Sequence, residues 1–143
     1  MTLPGLDDRQ RTHPEQRLRD EQEIWITTIR ADGQPQASPV GFLWDGTSFL
    51  ILTAPTSQKV RNLRANPRIA LHLEIDRQAE NDGGVLTLEG TARLDGDPIS
   101  DEEAKTYAAK YADALRSAQM TAEDAFAELS TVIRVTPTRV RAY

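Results

Sequence analysis

Two Asp-Gly pairs, Asp32-Gly33 and Asp45-Gly46, each lie between runs of apolar and β-branched residues, and nothing else in the chain constrains its fold as strongly. Asp-Gly supplies the positive-φ positions of tight hairpins. The first pair joins Ile24–Ile29 to a return strand predicted over Gln36–Trp44, where Pro35 and Pro39 mark an edge or a bulge. The second joins that strand to Phe49–Thr53, an unbroken apolar run of the kind covered on both faces. Two adjacent hairpins specify an antiparallel meander.

The remaining pattern extends this reading. Pro14 is expected in the first turn of a short helix through Gln22, anchored by Leu18. Thr56–Ala65 reads as a helix capped by Thr56 or Ser57, with Val60 and Leu63 turned inward and Pro67 beyond its end. Ile69, Leu71, Leu73 and Ile75 alternate with polar residues as a half-buried strand, Gln78–Gly84 is a polar loop, and Leu86, Leu88, Ala92 and Leu94 share the face of another strand. Ser100 with Glu103, and Thr121 with Asp124, are capping boxes; on the first helix Tyr107, Tyr111 and Leu115 form a stripe. Ser130–Val140 closes the chain as a strand bulged at Pro137, where the apolar phase changes. About six strands with three or four helices give a mainly β fold, an antiparallel barrel decorated by helices. Residues 1–20 form an arm and a short helix, and residues 21–143 a single barrel domain.

Composition removes whole classes of function. A chain of 143 residues is one domain. It has no apolar run near the ~20 residues of a membrane span. Cys is absent, which excludes disulfides, thiolate catalysis and Cys-based zinc sites. The polar first twenty residues lack an apolar export core, and together with the missing Cys they lead us to expect a cytoplasmic protein. A net charge of −5 argues against nucleic acid as a partner.

In this acidic chain no Asp or Glu occurs from Gly46 to Leu73, whereas Lys59, Arg61, Arg64 and Arg68 do. Lys59 falls in the first turn of the predicted helix, where a cation opposes the helix dipole. An anion at that helix start would reverse the sign, since free N–H groups, the Ser57 hydroxyl and the Lys59 ammonium would converge on it. A phosphate cradle and a solvated basic face are both compatible with the pattern. The histidines, His13 and His72, are too far apart in sequence to suggest a metal site or a catalytic triad. The acidic pairs Glu102-Glu103 and Glu123-Asp124 occupy first turns, where the dipole explains them. No strong acid, base or nucleophile stands out, and no catalytic residue is assigned. A cofactor that carries its own reactivity fits that shortage.

Leu43–Gly46 followed by Thr56–Arg68 (Thr-Ser-Gln-Lys-Val-Arg-Asn-Leu-Arg-Ala-Asn-Pro-Arg) resembles the pyridoxamine 5′-phosphate oxidase-like superfamily, in particular its small B-type branch of deazaflavin-dependent enzymes. Thr28–Val40, Leu88–Ala92 and Ile133–Val140 match as well. The resemblance implies a six-stranded split β-barrel of the FMN-binding type, a homodimer with cofactor sites at its interface and a small-molecule substrate. It implies that Ser57 and Lys59 grip the cofactor phosphate beside Thr56, Gln58, Arg61 and Asn62. It further implies that the segment containing Gln36, Ala37, Ser38, Pro39 and Gly41 lies along the cofactor ring, the small residues allowing close approach. The implied cofactor is coenzyme F420, with FMN as the alternative; Arg61 or Arg64 would meet the glutamate tail of F420. This chain is shorter than true pyridoxamine phosphate oxidases and lacks their C-terminal substrate-phosphate elements. The implied activity is therefore hydride transfer from reduced deazaflavin to a conjugated organic substrate. An FMN-dependent oxidoreductase and a non-catalytic flavin or tetrapyrrole binder are the alternatives. The proton donor stays open between solvent, Tyr107 and Tyr111.

Overall fold

In the computed structural model, which describes residues 3–79, 84–94 and 96–143, the elements follow in the order α1 (Asp8–Asp20), β1 (Ile24–Ile29), β2 (Pro35–Val40), β3 (Leu43–Trp44), β4 (Phe49–Thr53), α2 (Gln58–Ala65), β5 (Arg68–His72), β6 (Leu86–Arg93), α3 (Asp101–Lys110), α4 (Ala112–Ser117), α5 (Ala122–Glu128) and β7 (Thr131–Ala142). Both Asp-Gly hairpins form. β1 pairs with β2 from Ile24↔Val40 to Ile29↔Pro35, and β3 pairs with β4. Gly33 and Gly46 take φ of 89° and 95°, the conformation those turns require.

All strands belong to one antiparallel sheet in the order β2-β1-β5-β6-β7-β4-β3. Its edges, β2 and β3, are consecutive in the chain. Val40 and Leu43 are three residue steps apart, a span of no more than about 11 Å. The sheet must therefore curl until its edges meet, which makes it a barrel split at Gly41-Phe42.

That split corrects the sequence reading, which predicts one strand over 36–44 and six strands where seven form among the described residues. The cause is distant in sequence. The Phe42 N–H donates to the Tyr111 hydroxyl (2.8 Å) and the Phe42 carbonyl accepts from Lys110 Nζ (2.8 Å). Backbone groups that would continue the ladder are satisfied by side chains instead.

Two further boundaries differ. α1 starts at Asp8, because Asp7 and Gln10 form a capping box, so Pro14 lies inside the helix rather than in its first turn. Burial of Pro14, Arg17 and Leu18 on one side offsets the hydrogen bond that Pro14 cannot donate. β5 ends at His72, and Ile75, expected inward, is 55% exposed. Arg17 takes the carbonyls of Glu74 (2.5 Å) and Gly84 (3.0 Å), drawing that segment off the ladder. Within the expected polar loop, residues 80–83 lie outside the described residues. The bulge near Pro137 is present: Gly90 faces Pro137 while Glu89 faces Arg139. A Cβ on Gly90 would lie 2.5 Å from the Thr136 carbonyl, so the strands can approach there only with glycine.

The barrel interior is filled by alternate residues of the strands, such as Ile26, Phe49, Ile51, Leu71, Leu88 and Ile133, with Leu18 of α1 and Leu63 of α2 added to the same cluster. Outside β3, β4 and β7 a second cluster packs Leu43, Leu50 and Leu52 under Tyr107, Tyr111 and Phe126. The outward face of β2-β1-β5-β6-β7 is different. Pro39, Trp25, His72, Thr87 and Arg141 form one cross-strand row, and Ala37, Thr27, Ala70, Glu89 and Arg139 the next. Ala37, Pro39, Ala70, Glu89, Arg139 and Arg141 are exposed. Among the described residues no second layer covers this face.

Candidate functional site

The turn from β4 into α2 brings three polar side chains together. Ser57 is the N-cap in extended conformation, yet its hydroxyl caps no helix N–H. Instead Ser57 Oγ lies 3.3 Å from Thr53 Oγ1, and Lys59 Nζ lies 3.4 Å from the same oxygen. The first turn of α2 holds no acidic residue. Its leading N–H groups have no intrahelical acceptor, and they add positive potential where Lys59 already stands. Lys59 is half-buried, and loss of hydration pushes its ammonium below its ordinary pKa. No ion pair of Lys59 occurs among the described residues. A half-buried cation, a hydroxyl that accepts from Thr53 and keeps its own proton, and free helix N–H groups form a donor set that an anion would complete.

Beside it a hydrogen-bonded network ties α2 to β1 and β2. Asn62 is 3% exposed, and its Nδ2 donates to Thr28 Oγ1 and to Gln36 Oε1, both at 2.9 Å. Its Oδ1 accepts from Gln58 Nε2 (2.9 Å). Arg61 in turn donates to Gln58 Oε1 (2.6 Å) and to the Thr56 carbonyl (2.9 Å). Thus Gln36, Thr56, Gln58, Arg61 and Asn62, chosen from two separate sequence segments, are joined in one network. Ser57 and Lys59 stand at its edge.

Ala37, Pro39 and Gly41 lie elsewhere. Alternation along the strand turns Ala37 and Pro39 to the exposed outward face, opposite Gln36 and half-buried Ser38. At Gly41 a Cβ would meet the Tyr111 hydroxyl at 3.1 Å and the Tyr107 hydroxyl at 3.2 Å. Within the chain, glycine is needed there to seat the tyrosines. Arg64 is exposed and lines a cavity of about 340 Å³ with Val60, Leu94 and Thr131. His72 stacks on Trp25 (6.0 Å between ring centroids), and His13 lies 3.3 Å from Asp76 on the surface. No cluster of potential metal ligands occurs among the described residues.

Sequence reasoning missed Thr53, which sits between Ser57 and Lys59, and Thr28, which is 2% exposed beneath Asn62. Thr53 had a signal: it is the polar last residue of an otherwise apolar strand and leads directly into the basic turn. Thr28 had none, because Asn62 is 34 residues away.

The pyridoxamine 5′-phosphate oxidase family model matches residues 13–143. The chain belongs to the pyridoxamine 5′-phosphate oxidase family. Among curated proteins, none matches it. Among solved structures, one described as an F420 reductase is 25% identical, with 89% of this chain and 94% of that chain covered and a TM-score of 0.65. The heme storage protein HutZ from Vibrio cholerae is 17% identical, with 84% of each chain covered and a TM-score of 0.63. General Stress Protein 26 from Bacillus anthracis is also 17% identical, with 91% of this chain and 90% of that one covered and a TM-score of 0.63. The last two likenesses concern the fold. The family includes oxidoreductases, and no helix of the described residues is long and apolar enough to cross a membrane.

Proposed function

We propose that this chain is an oxidoreductase that binds coenzyme F420 and serves hydride transfer from the reduced deazaflavin to a conjugated organic substrate. The observation that carries the reading is the Thr53-Ser57-Lys59 cradle at the start of α2, where the Ser57 hydroxyl caps no helix N–H and the Lys59 ammonium, hydrogen-bonded to Thr53, has no ion pair among the described residues. Similarity to an F420 reductase across most of both chains supports the deazaflavin over FMN. When bound, the deazaflavin supplies the hydride. The residues of this chain bind and orient. Ser57, Lys59 and the leading N–H groups of α2 would hold the phosphate. Asn62, through Gln36 and Thr28, locks β2 against α2, so that the phosphate site and the ring strip keep a fixed separation. Ala37 and Pro39 would offer the ring a surface without bulky side chains, bounded at Gly41 by the hydroxyls of Tyr107 and Tyr111. Arg64, with Arg61 at the rim, would meet the carboxylates of the coenzyme tail.

The uncovered sheet face beside Ala37 and Pro39 is the surface on which we place a second copy of the chain. One protomer leaves that strip open to solvent, and a homodimer would enclose the ring from its other side. A turnover assay tests the activity. With reduced deazaflavin and a conjugated carbonyl acceptor, the purified protein should re-oxidise the coenzyme faster than a Lys59→Ala variant at sub-saturating coenzyme. Equal rates for both proteins and for buffer would make the chain a binder rather than an enzyme.

A further inference from the structure

One end of the strip has a feature that phosphate binding does not use. Pro35, Ala37 and Pro39 point outward along β2, and Gly41 continues their alternation just past the strand. The space a side chain would fill at Gly41 is taken by two phenol oxygens, those of Tyr111 and Tyr107. α3 therefore sets a pair of hydroxyls at the end of the exposed surface of β2.

The two hydroxyls are not equivalent. A phenol has one proton to give. Tyr111 donates it to the Gln22 carbonyl (2.6 Å) and accepts from the Phe42 N–H (2.8 Å), while Lys110 Nζ fixes the Phe42 carbonyl from 3.8 Å above the Phe42 ring centroid. Tyr111 is committed to the backbone. Tyr107 is 6% exposed as a residue, but its hydroxyl makes no hydrogen bond among the described residues and is not one of their buried, unpartnered polar atoms, so it reaches the surface with its proton uncommitted. Its ring is held against Tyr111 (4.6 Å) and Phe126 (5.7 Å), so the hydroxyl direction is set before any ligand arrives.

We propose that the Tyr107 hydroxyl is a ligand-binding group that donates a hydrogen bond to a ring nitrogen or carbonyl at the edge of a flat heterocycle lying along Ala37–Gly41, with Tyr111 and Lys110 as positioning residues. The inference rests on the reading of β2 as the ring strip. Desolvation raises the Tyr107 pKa, which keeps the phenol protonated and a donor at neutral pH.

The test compares Tyr107→Phe, Tyr111→Phe and Lys59→Ala with the natural chain, titrating each with the deazaflavin coenzyme and with FMN. Dissociation constants, the absorbance band of the bound cofactor at saturation and the thermal midpoint are read together. Tyr107→Phe should bind about fivefold more weakly, the loss expected for one neutral hydrogen bond, with a shifted bound band and an unchanged midpoint. Tyr111→Phe should lower the midpoint. An unchanged affinity and band for Tyr107→Phe would overturn the proposal, as would a midpoint loss matching Tyr111→Phe with no band shift. If Lys59→Ala still weakens binding in that case, the cofactor-site reading survives alone. If neither cofactor binds the natural chain, both fall.

Discussion

Lys59→Ala separates a phosphate cradle from a solvated basic face, because the first predicts a large loss of cofactor affinity and the second almost none. Lys59 Nζ is half-buried, 3.4 Å from Thr53 Oγ1, with no ion pair among the described residues. If an anion completes this set, the variant loses a charge-assisted hydrogen bond in a partly desolvated place, about 1.5–3 kcal/mol. That is roughly a 10- to 150-fold rise in Kd. The ligand-free protein should respond in the other direction. Burial holds the Lys59 pKa below 10.5, so its charge destabilises the fold at neutral pH, and this penalty fades as pH rises through the lowered pKa toward 10.5. Lys59→Met, which keeps the stem, should therefore raise the ligand-free Tm while weakening cofactor binding. The assay is a fluorescence titration with coenzyme F420 at fixed ionic strength, beside thermal unfolding without cofactor. Arg68→Ala is the control, since Arg68 is an exposed residue at the start of β5, beyond Pro67. Small, equal effects of Lys59→Ala and Arg68→Ala on Kd would refute the cradle.

Three further outcomes follow. Sedimentation at micromolar concentration should give a C2 homodimer, and Ala70→Glu, at the middle of the uncovered sheet face, should shift it toward monomer; a monomer that still binds cofactor tightly would contradict the interface. Gly90→Ala should cost about 1–3 kcal/mol in chemical denaturation, because its Cβ would press on the Thr136 carbonyl at the bulge. The hydrogen bond from Arg134 holds the Glu103 carboxyl down at about 2, against an ordinary 4.5, so its stabilisation is complete above pH 4.5 and lost as pH falls toward 2. Glu103→Gln should flatten the fall of Tm across that window.

The features that were legible in the sequence are those made by neighbours. The Asp-Gly hairpins, the Ser100–Glu103 and Thr121–Asp124 capping boxes and the bulge at Pro137 each depend on residues a few positions apart or on a break in alternation, and each formed. The acid-free stretch pointed to the start of α2 for the same reason, since the charges of one short segment act on one helix end. What escaped depends on distant partners. Nothing around Phe42 shows that Tyr111 and Lys110 will take its backbone groups and split the return strand. Nothing around Ile75 shows that Arg17 will pull the Glu74 carbonyl away from the ladder. The network through Asn62 likewise joins residues 34 and 26 positions apart. Its members Gln36, Gln58 and Asn62 came from family resemblance, and the structure supplies the physical reason they belong together.

The central claim, that the site is built for a deazaflavin, is tested most directly by comparing F420 and FMN affinity across a salt series. FMN carries one phosphate, whereas the deazaflavin coenzyme adds tail carboxylates that Arg61 and Arg64 can meet. Each exposed ion pair contributes only about 0–1 kcal/mol and is screened by salt. The account predicts tighter binding of F420 at low ionic strength, an advantage that shrinks as salt rises. Arg64→Ala, which leaves the Arg61–Gln58–Asn62 network intact, should narrow the gap while FMN affinity barely changes. FMN that co-purifies with the protein and binds more tightly at every salt concentration would contradict it.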